Sequence, residues 1–593
     1  MILAHFVRSS MMGACKLTLP DGISPHTKVS LLYTLLMQHE VTRKRLSTML
    51  LVLGPVTTLA ISPSSSFDPI NLVKMMFVSG TSFAAIAFMA IAWRSLGTRL
   101  PIGLWISAGF FVFWLTMVMI VSGAPLNQQF WGTFGRNNGY LAYFSLIVIL
   151  LSVALQQKKN FYHKLVEALI LTAIPTTIYA LVQLVGRDPI AWSVNAPFAT
   201  LGNINFSSAF FGLASISATI LALAPRQALG IRIILISLAV TDLYIILETG
   251  SIQGFMIYVA GMGVAGFFVV RSHKSLRLFQ IPYLILGVTG LLLTSLALKN
   301  IGPLARFVFG DTILFRFDYW YAGWAMTINN PIFGVGLDSY GDWYRELRGE
   351  IATLRTTPER ITNTAHNIYL DISASGGFPL IVAYLILLGY AIRAAWKIVL
   401  RDQSFNPYFV ALLSTWIAYL IQAAISINQI GVGIWGWLFT GALIGYEMAT
   451  RDGAEPLLSN KTRGELAQIP AGIALSGILG FVSGVVIAFI PFHADARFKE
   501  SLQFGSVVDQ FTQAKSLGST AFHLELALDA ALKAGEVELA DQITAELLAR
   551  YPRDFMAWRV KQALVSSTPE ERQEAYLRLR QMDPYNPSIR PLE

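Results

Sequence analysis

Apolar stretches of about twenty residues recur along this chain, and they constrain its fold more than any motif does. A helix of that length crosses the roughly 30 Å hydrocarbon core of a bilayer. The composition agrees, because 54% of the 593 residues are hydrophobic and only 13% are charged. The sequence therefore predicts an all-α, polytopic membrane protein with about thirteen transmembrane helices. These spans are expected near 46–61, 75–93, 101–122, 140–155, 166–185, 206–224, 231–247, 254–270, 279–298, 378–395, 408–427, 433–448 and 469–492.

Cations of the short loops set the expected orientation, because they fall on one side of the membrane if every span is real. By the positive-inside rule that side is the cytoplasm. The prediction is a multi-pass protein of the inner (cytoplasmic) membrane with a cytoplasmic N-terminus and an extracytoplasmic C-terminal domain. The net charge of +9 then reflects topology and requires no nucleic acid partner. The cations concerned are Arg43, Lys44, Arg45, Arg94, Arg99, Lys158, Lys159, Arg226, Arg232, Arg271, Lys274, Arg277, Arg393, Lys397, Arg401, Lys461 and Arg463.

Composition divides the chain into predicted domains: a cytoplasmic tail, a transmembrane domain with a long outer loop, a cytoplasmic linker, a last span and a soluble domain. Their bounds are 1–45, 46–450 with loop 299–377, 451–468, 469–492 and 493–593. In the soluble domain, a helix, a turn at Gly535, a second helix and Pro552 form a unit of about thirty-four residues that resembles a tetratricopeptide repeat. A small helical bundle is the alternative. Either would serve as a docking surface for a protein partner rather than as a catalytic one.

No cofactor is expected. Cys15 is the single cysteine, which excludes an intramolecular disulfide and a cysteine-based metal site. The histidines are scattered without metal-ligand spacing. No glycine-rich loop follows a predicted strand, and no DxD pair lies on the outer side, so a nucleotide-sugar site is not expected.

Three outer cations, Lys74, Arg136 and Arg187, run against the positive-inside bias. Arg136 lies between Gly135 and Asn137 in a glycine- and amide-rich loop that can fold tightly beside a ligand; the alternative is a solvated loop arginine. Asp68 and Lys74 form a polar cluster between the first two spans. Asp68 could instead cap a helix, and Lys74 could snorkel from a helix end.

Further candidates follow along the chain. Asn203 and Asn205 precede the sixth span and could bind a sugar or cap that helix. Asp242 lies inside the seventh span, where a carboxylate usually faces a wet cavity or a partner, and its role stays open. Arg316 lies in an aromatic segment, Phe315 to Trp324, predicted as a membrane-hugging helix. His366 and Asn367 close the long outer loop.

An ordered series of short motifs in this chain resembles the O-antigen ligase and polymerase superfamily. The series is Asp68-Pro69 with Lys74, Gly135-Arg136, Gly202-Asn203-Ile204-Asn205, Arg316, the 330–336 segment NPIFGVG, and His366-Asn367 before Gly377. The resemblance covers roughly residues 46–448. It implies a GT-C-like fold and transfer of a glycan from a polyprenyl-pyrophosphate carrier, such as undecaprenyl pyrophosphate, outside the cytoplasmic membrane. One departure is the segment from Thr249 to Gly254, which lacks the arginine of the family's Thr-x-Ser-Arg pattern that is thought to help bind pyrophosphate. Gln253 in this segment can hydrogen-bond but cannot neutralise charge.

The resemblance gives Arg136 and Arg316 a role on the pyrophosphate, since guanidinium groups stabilise departing phosphate charge. His366 is the predicted base for the acceptor hydroxyl. The predicted substrate-binding residues are Asp68, Lys74, Asn203, Asn205, Asn367 and Gln253, with no metal ligand.

The acceptor stays open between lipid A core, a growing glycan as in a polymerase, and a protein hydroxyl as in an O-oligosaccharyltransferase. A polysaccharide or lipid transporter, or a flippase, is the non-enzymatic alternative. It should show two related halves, which this sequence lacks.

Overall fold

The computed structural model describes residues 25–91, 100–192, 194, 196–355, 357–451 and 471–591, without the side chains of 25–41, 307, 308 and 471. Cys15 and all but the first residue of the predicted linker 451–468 lie outside this part of the chain. Within it, every regular element is a helix, as predicted. The helices are α1 Pro25–Leu59, α2 Asn71–Ile91, α3 Ile102–Val121, α4 Leu126–Trp131, α5 Tyr140–Ala154, α6 Lys159–Leu184, α7 Ile204–Ala222, α8 Leu229–Glu248, α9 Ile252–Ser272, α10 Gln280–Leu298, α11 Ala305–Val308, α12 Asp311–Asn329, α13 Tyr340–Leu347, α14 Glu350–Arg355, α15 Ile368–Arg401, α16 Pro407–Ala423, α17 Ile430–Ala449, α18 Ala471–Phe504, α19 Val507–Ala514, α20 Ala521–Ala534, α21 Val537–Arg550, α22 Phe555–Ala563 and α23 Pro569–Met582.

Each predicted span corresponds to one of these helices. Nine helices of the described chain are long and apolar enough to cross a membrane, and α5 and α16 are shorter apolar helices. The remaining two predicted spans lie in α1 and α17. The chain is therefore a polytopic, all-helical membrane protein.

Burial shows which helices form the centre of the bundle. In α7, 83% of an apolar 18-residue stretch is buried inside the protein, whereas only 6% of such a stretch is buried in the segment Arg277–Leu298, which contains α10. Every residue of α17 from Ile430 to Glu447 is buried. Hydrophobicity alone does not distinguish these positions, because lipid-facing and core-facing side chains are equally apolar.

A break at Gly376 and Gly377 divides α15. Gly377 has φ +69° and ψ −173°, which an L-residue rarely adopts. A Cβ atom there would lie 2.3 Å from the Ile332 carbonyl oxygen. The 330–336 segment packs against the break, since Val335 N–H donates to the Ala374 carbonyl at 2.8 Å and Phe378 N–H donates to the Pro331 carbonyl at 2.8 Å. This family-like motif therefore shapes the entry of α15 into the bundle.

The last span and the soluble domain share one helix. α18 continues past Phe492, so the predicted domain boundary lies within a helix. Two helix pairs follow, α20 with α21 and α22 with α23. Gly535, at φ +73°, ends α20 in the left-handed conformation expected of a helix C-cap.

The helices after α18, hereafter the tail (residues 505–591), pack onto loops of the bundle. Arg348 Nη2 bonds both carboxylate oxygens of Asp583, at 2.9 and 2.8 Å. The Phe134 ring stacks on Phe522 with centroids 4.0 Å apart. The tail therefore lies on the same side of the bundle as the loops that carry Arg136 and His366.

Candidate functional site

Arg136 lies in a tight loop, residues 132–139, whose shape depends on two glycines. Gly132 has φ +96°, and a Cβ atom on it would lie 2.5 Å from Asn137 Cα. A Cβ atom on Gly139 would lie 2.6 Å from the Gly132 nitrogen. Backbone thus passes against backbone, and a side chain at either position would force the loop open.

Asp338 holds this loop against the long outer loop. Its Oδ2 atom accepts hydrogen bonds from the N–H groups of Thr133 at 2.6 Å and Asn138 at 3.2 Å. Burial raises the pKa of Asp338 to about 6, although these hydrogen bonds and the charge of Arg136 oppose the shift. The carboxylate therefore fixes the Arg136 loop from outside.

The Arg136 guanidinium spans the two loops. Its Nε–H donates to Asn363 Oδ1 at 2.9 Å. Among the described residues, no protein group hydrogen-bonds its two terminal nitrogens. Burial lowers the pKa of Arg136, while the carboxylates of Asp338, Asp371 and Asp68 act in the opposite direction. The group nonetheless stays charged, and its terminal nitrogens are available to an anion.

His366 lies beside both predicted arginines. Its backbone is in the left-handed region, at φ +50°, and its N–H bonds Thr364 Oγ1 at 3.2 Å. Its imidazole stacks against Tyr319 of α12, with centroids 5.3 Å apart. Burial and then the charges of Arg316 and Arg136 lower the pKa of His366 to about 4. The structure thus brings Arg136, Arg316 and His366 into one electrostatic neighbourhood.

A side chain of α15 fixes the backbone of the segment that precedes this helix. Asp371 Oδ1 accepts the Ala365 N–H at 2.6 Å. Asn367 is the N-cap, and its Oδ1 accepts the N–H groups of Tyr369 and Leu370. The Asn367 side-chain oxygen therefore serves the helix end, and its predicted contact with substrate stays a prediction.

Asp68 caps α2 beside the Arg136 loop. Its Oδ1 accepts the N–H groups of Ile70 at 3.1 Å and Asn71 at 2.9 Å. Asn71 Nδ2 in turn donates to the Gly135 carbonyl at 3.0 Å. Burial raises the pKa of Asp68. The capping alternative is therefore observed, and Asp68 also contributes charge close to Arg136.

Lys74 is fully buried, and its ammonium group serves the end of a neighbouring helix. Nζ donates to the carbonyls of Thr57 at 2.9 Å and Thr58 at 2.6 Å. Both lie in the last turn of α1, where carbonyls lack helical partners. Lys74 thus joins α1 to α2 beneath Asp68, and binding of substrate by it stays a prediction.

Asn203, Asn205 and Gln253 form a second group that adjoins the first through Gly202, whose Cβ position lies 2.4 Å from Ile70 Cδ1. Asn203 is exposed and caps α7 by accepting the Asn205 N–H at 2.8 Å. Asn205 Oδ1 accepts a hydrogen bond from Ser251 at 2.8 Å. Gln253 is only 3% exposed, and its amide has no hydrogen-bond partner among the described residues. Its predicted role stays a prediction.

Asp242 is fully buried among α6, α7 and α8. Thr177 Oγ1 donates a short hydrogen bond to Asp242 Oδ1. The partner that the sequence does not indicate is thus a hydroxyl on a neighbouring helix, outside the group around Arg136.

Asn363, Asp338 and Asp371 escaped the sequence analysis, whereas Tyr319 lies in the predicted aromatic helix from Phe315 to Trp324, although no role was assigned to it. Each acts through an atom of a residue distant in sequence or through backbone geometry, for which a single sequence carries no signal. Two lie close to motifs that were recognised: Asp338 follows the 330–336 segment, and Asp371 follows His366 by five residues. No group of three or more His, Cys, Asp or Glu side chains in the described ranges could hold a metal ion.

A family model described as O-Antigen ligase matches residues 237–385. This part of the chain is therefore similar to the O-antigen ligase superfamily. The matched O-antigen ligase segment runs from α8 into α15 and contains Arg316, Asn363 and His366, whereas Arg136 and Asp68 reach the same place from outside it. No curated protein matches the chain. The likeness of the tail to tetratricopeptide repeats stays a prediction.

Proposed function

We propose that this protein transfers a glycan from a polyprenyl-pyrophosphate carrier to an acceptor hydroxyl on the outer face of the cytoplasmic membrane. The match of residues 237–385 to the O-Antigen ligase model supports a glycan ligase in general. Donor, side of the membrane and residue roles are the proposal. One observation carries it: two arginines and a neutral imidazole share one partly buried site, and both arginines lower the pKa of His366.

The arginines suit the leaving group. When the bond between the anomeric carbon and the pyrophosphate oxygen breaks, negative charge grows on that oxygen. The terminal nitrogens of Arg136, and the guanidinium of Arg316, can bind the pyrophosphate in bidentate fashion. Stabilisation by fixed cations in a partly buried site needs no metal ion, and this independence of metals is itself a prediction.

His366 suits the acceptor. A pKa of about 4 leaves its imidazole neutral at physiological pH, with a lone pair that can accept the hydroxyl proton. The acceptor oxygen then forms the new bond to the anomeric carbon, and polyprenyl pyrophosphate departs. An anionic donor bound to Arg136 and Arg316 would offset their charge, so the pKa of His366 should rise and the base should become stronger in the complex.

The surroundings of Arg316 suit a lipid-borne donor. On α12, Tyr321 is 60% exposed, Trp324 51% and Ile328 48%. The spacing of three and four residues places them on one face, opposite the side from which Tyr319 reaches His366. An apolar, aromatic face is what a bilayer or a prenyl chain would cover.

The test is transfer by the purified full-length protein in liposomes. It receives a polyprenyl-pyrophosphate glycan and, separately, lipid A core, a second lipid-linked glycan or a protein acceptor. His366→Ala should reduce transfer ~10²- to 10⁴-fold with donor binding retained. His273→Ala, at an exposed histidine, is the matched control. Near-normal transfer by His366→Ala would overturn the base assignment, and loss of transfer with chelator would overturn metal independence.

A further inference from the structure

A cavity of about 1010 Å³ lies between the tail and the loops of the bundle. Its walls come from both sides, with Gln128, Trp343 and Asn363 on the bundle and Phe522, Glu525 and Asp554 on the tail. The volume is at the upper end of what small-molecule sites enclose, roughly 300–1,000 Å³. The tail therefore does more than cover the loops, because it forms one wall of a half-open cavity.

The cavity adjoins the proposed catalytic residues. Asn363 lines it and also accepts the Nε–H of Arg136. Thr133 lines it as well, and its N–H bonds Asp338. A ligand in the cavity would thus lie one side chain away from Arg136.

Charge in the cavity is nearly balanced. Three arginines line it, and each pairs with a carboxylate: Arg345 with Asp583, Arg559 with Glu359, and Arg553 with Glu346. The guanidinium groups of Arg553 and Arg345 also stack on Trp343 and Phe555, at 3.6 and 4.1 Å. No arginine in the cavity is left to bind an anionic ligand, which disfavours phosphate or carboxylate recognition.

The acidic side chains are also partnered. Asp342 accepts a hydrogen bond from Gln128 Nε2 at 2.9 Å. Asp554 shares a hydrogen bond with Glu525, and burial followed by the charge of Glu525 raises the pKa of Asp554 well above its usual range. A proton shared by this pair removes one negative charge, which disfavours a basic peptide. The pair can then donate and accept hydrogen bonds at once.

The combination suits a neutral, polyhydroxylated ligand. Hydroxyl groups need partners that both donate and accept, which Glu525 with Asp554, Thr133 and Asn363 supply. Sugar rings also pack their C–H groups against apolar surfaces. Phe522 and Trp343 line the same cavity, each with one ring face already covered, by Phe134 and by Arg553 respectively.

We propose that this cavity binds sugar residues of a glycan acceptor and presents its terminal hydroxyl toward His366. The proposal rests on the glycan transfer proposed above and commits to a carbohydrate acceptor rather than a peptide. The tail would then be a part of the acceptor site, not an accessory domain.

Direct binding tests this inference without relying on transfer. The full-length protein in detergent would be titrated with oligosaccharides released by mild acid from the producing cell's own envelope glycan, with saturation-transfer NMR as readout. Ala563→Trp fills the cavity from an exposed position on α22, and Glu525→Gln alters the carboxyl pair. The matched controls are Ala545→Trp and Glu538→Gln, at exposed positions of α21 outside the cavity.

We expect both cavity variants to weaken oligosaccharide binding at least about tenfold and the controls to change it by less than about twofold. In the transfer assay the cavity variants should raise KM for the acceptor and leave KM for the donor unchanged. Equal oligosaccharide binding by all variants would overturn the inference. So would a cavity that binds acceptor peptides instead of sugars, with the peptide binding blocked by Ala563→Trp. If the cavity variants weaken sugar binding but the protein transfers no glycan to any acceptor, the proposed function would be wrong and the sugar-binding site would still stand.

Discussion

Asn363 Oδ1 accepts a hydrogen bond of 2.9 Å from Arg136 Nε. The two residues are 227 positions apart, on different loops of the bundle. The bond fixes the plane of the guanidinium and leaves the two terminal nitrogens for a ligand. Arg136 is therefore held in one orientation by the protein, as the proposed electrostatic stabilisation of a transition state requires.

Replacement of either arginine by lysine should impair transfer although the charge is kept. Lysine lacks the bidentate fork, and at position 136 it also lacks the Nε–H that bonds Asn363. We expect Arg136→Lys and Arg316→Lys each to lower kcat/KM by about 10²- to 10³-fold in the liposome assay. Arg355→Lys is the control, because a lysine can retain the ion pair with Asp318. Equal activity of all three variants would contradict the pyrophosphate assignment.

The pH dependence of transfer should report His366. The base acts when neutral, so activity is lost as pH falls through its pKa, and a pKa of about 4 in the free enzyme keeps kcat/KM level from neutrality down to about pH 5. The acid limb of kcat should lie at higher pH, because bound pyrophosphate offsets the two cations. Arg316→Gln should move the acid limb of kcat/KM upward. If Arg316→Gln leaves the acid limb unchanged, the charge of Arg316 does not influence the pKa of the catalytic base, which would contradict the assignment of His366.

Docking of the tail should depend on Asp583. Its carboxylate is fully buried with Arg348, which is 1% exposed. Asp583→Ala leaves that arginine buried without its counter-ion, which costs about 3–5 kcal/mol. Asp529→Ala removes an exposed partner of Lys533 and should cost at most about 1 kcal/mol. The two variants would be compared by the rate at which limited proteolysis releases the tail from the full-length protein and by the thermal unfolding midpoint. Equal protease resistance would argue against this anchor.

The break in α15 should not tolerate a side chain. Gly377→Ala requires an alanine at φ +69° and a Cβ atom 2.3 Å from a carbonyl oxygen. We expect it to destabilise the protein by at least about 1–3 kcal/mol. Gly389→Ala in the same helix meets nothing within 4 Å and should be neutral or slightly stabilising. Thermal unfolding in detergent compares them, and an unchanged midpoint for Gly377→Ala would mean that the break can be rebuilt.

The orientation of the chain stays a prediction with a direct test. A reporter fused after Glu593 should be active outside the cytoplasm, and fusions near Asp402 or Asp452 should be active inside. A cytoplasmic reporter after Glu593 would also put the Arg136 and His366 loops inside, because the tail packs on them. That result would contradict an outer-face transferase.

The helical content and the spans followed from the sequence because their signals are local. A run of apolar residues near twenty in length has few alternatives in a bilayer, so each predicted span found its helix. Arg136, Arg316 and His366 were also recognisable, since charged or titratable groups stand out beside apolar spans. The resemblance to the family predicted a shared role in glycan transfer for these three residues, which their separate positions in the sequence did not indicate.

Only the tertiary structure decided what those residues touch. Asp68, Asn203 and Asn367 have side chains that suit sugar binding and helix capping equally well, and the backbone around each one puts it at a helix end. The Arg136 to Asn363 bond and the cavity beneath the tail join segments hundreds of residues apart. Hydrophobic length and local charge therefore determined the membrane-spanning architecture. The site depended on loop and tail packing, which comes from long-range contacts that leave no periodic trace in a single chain.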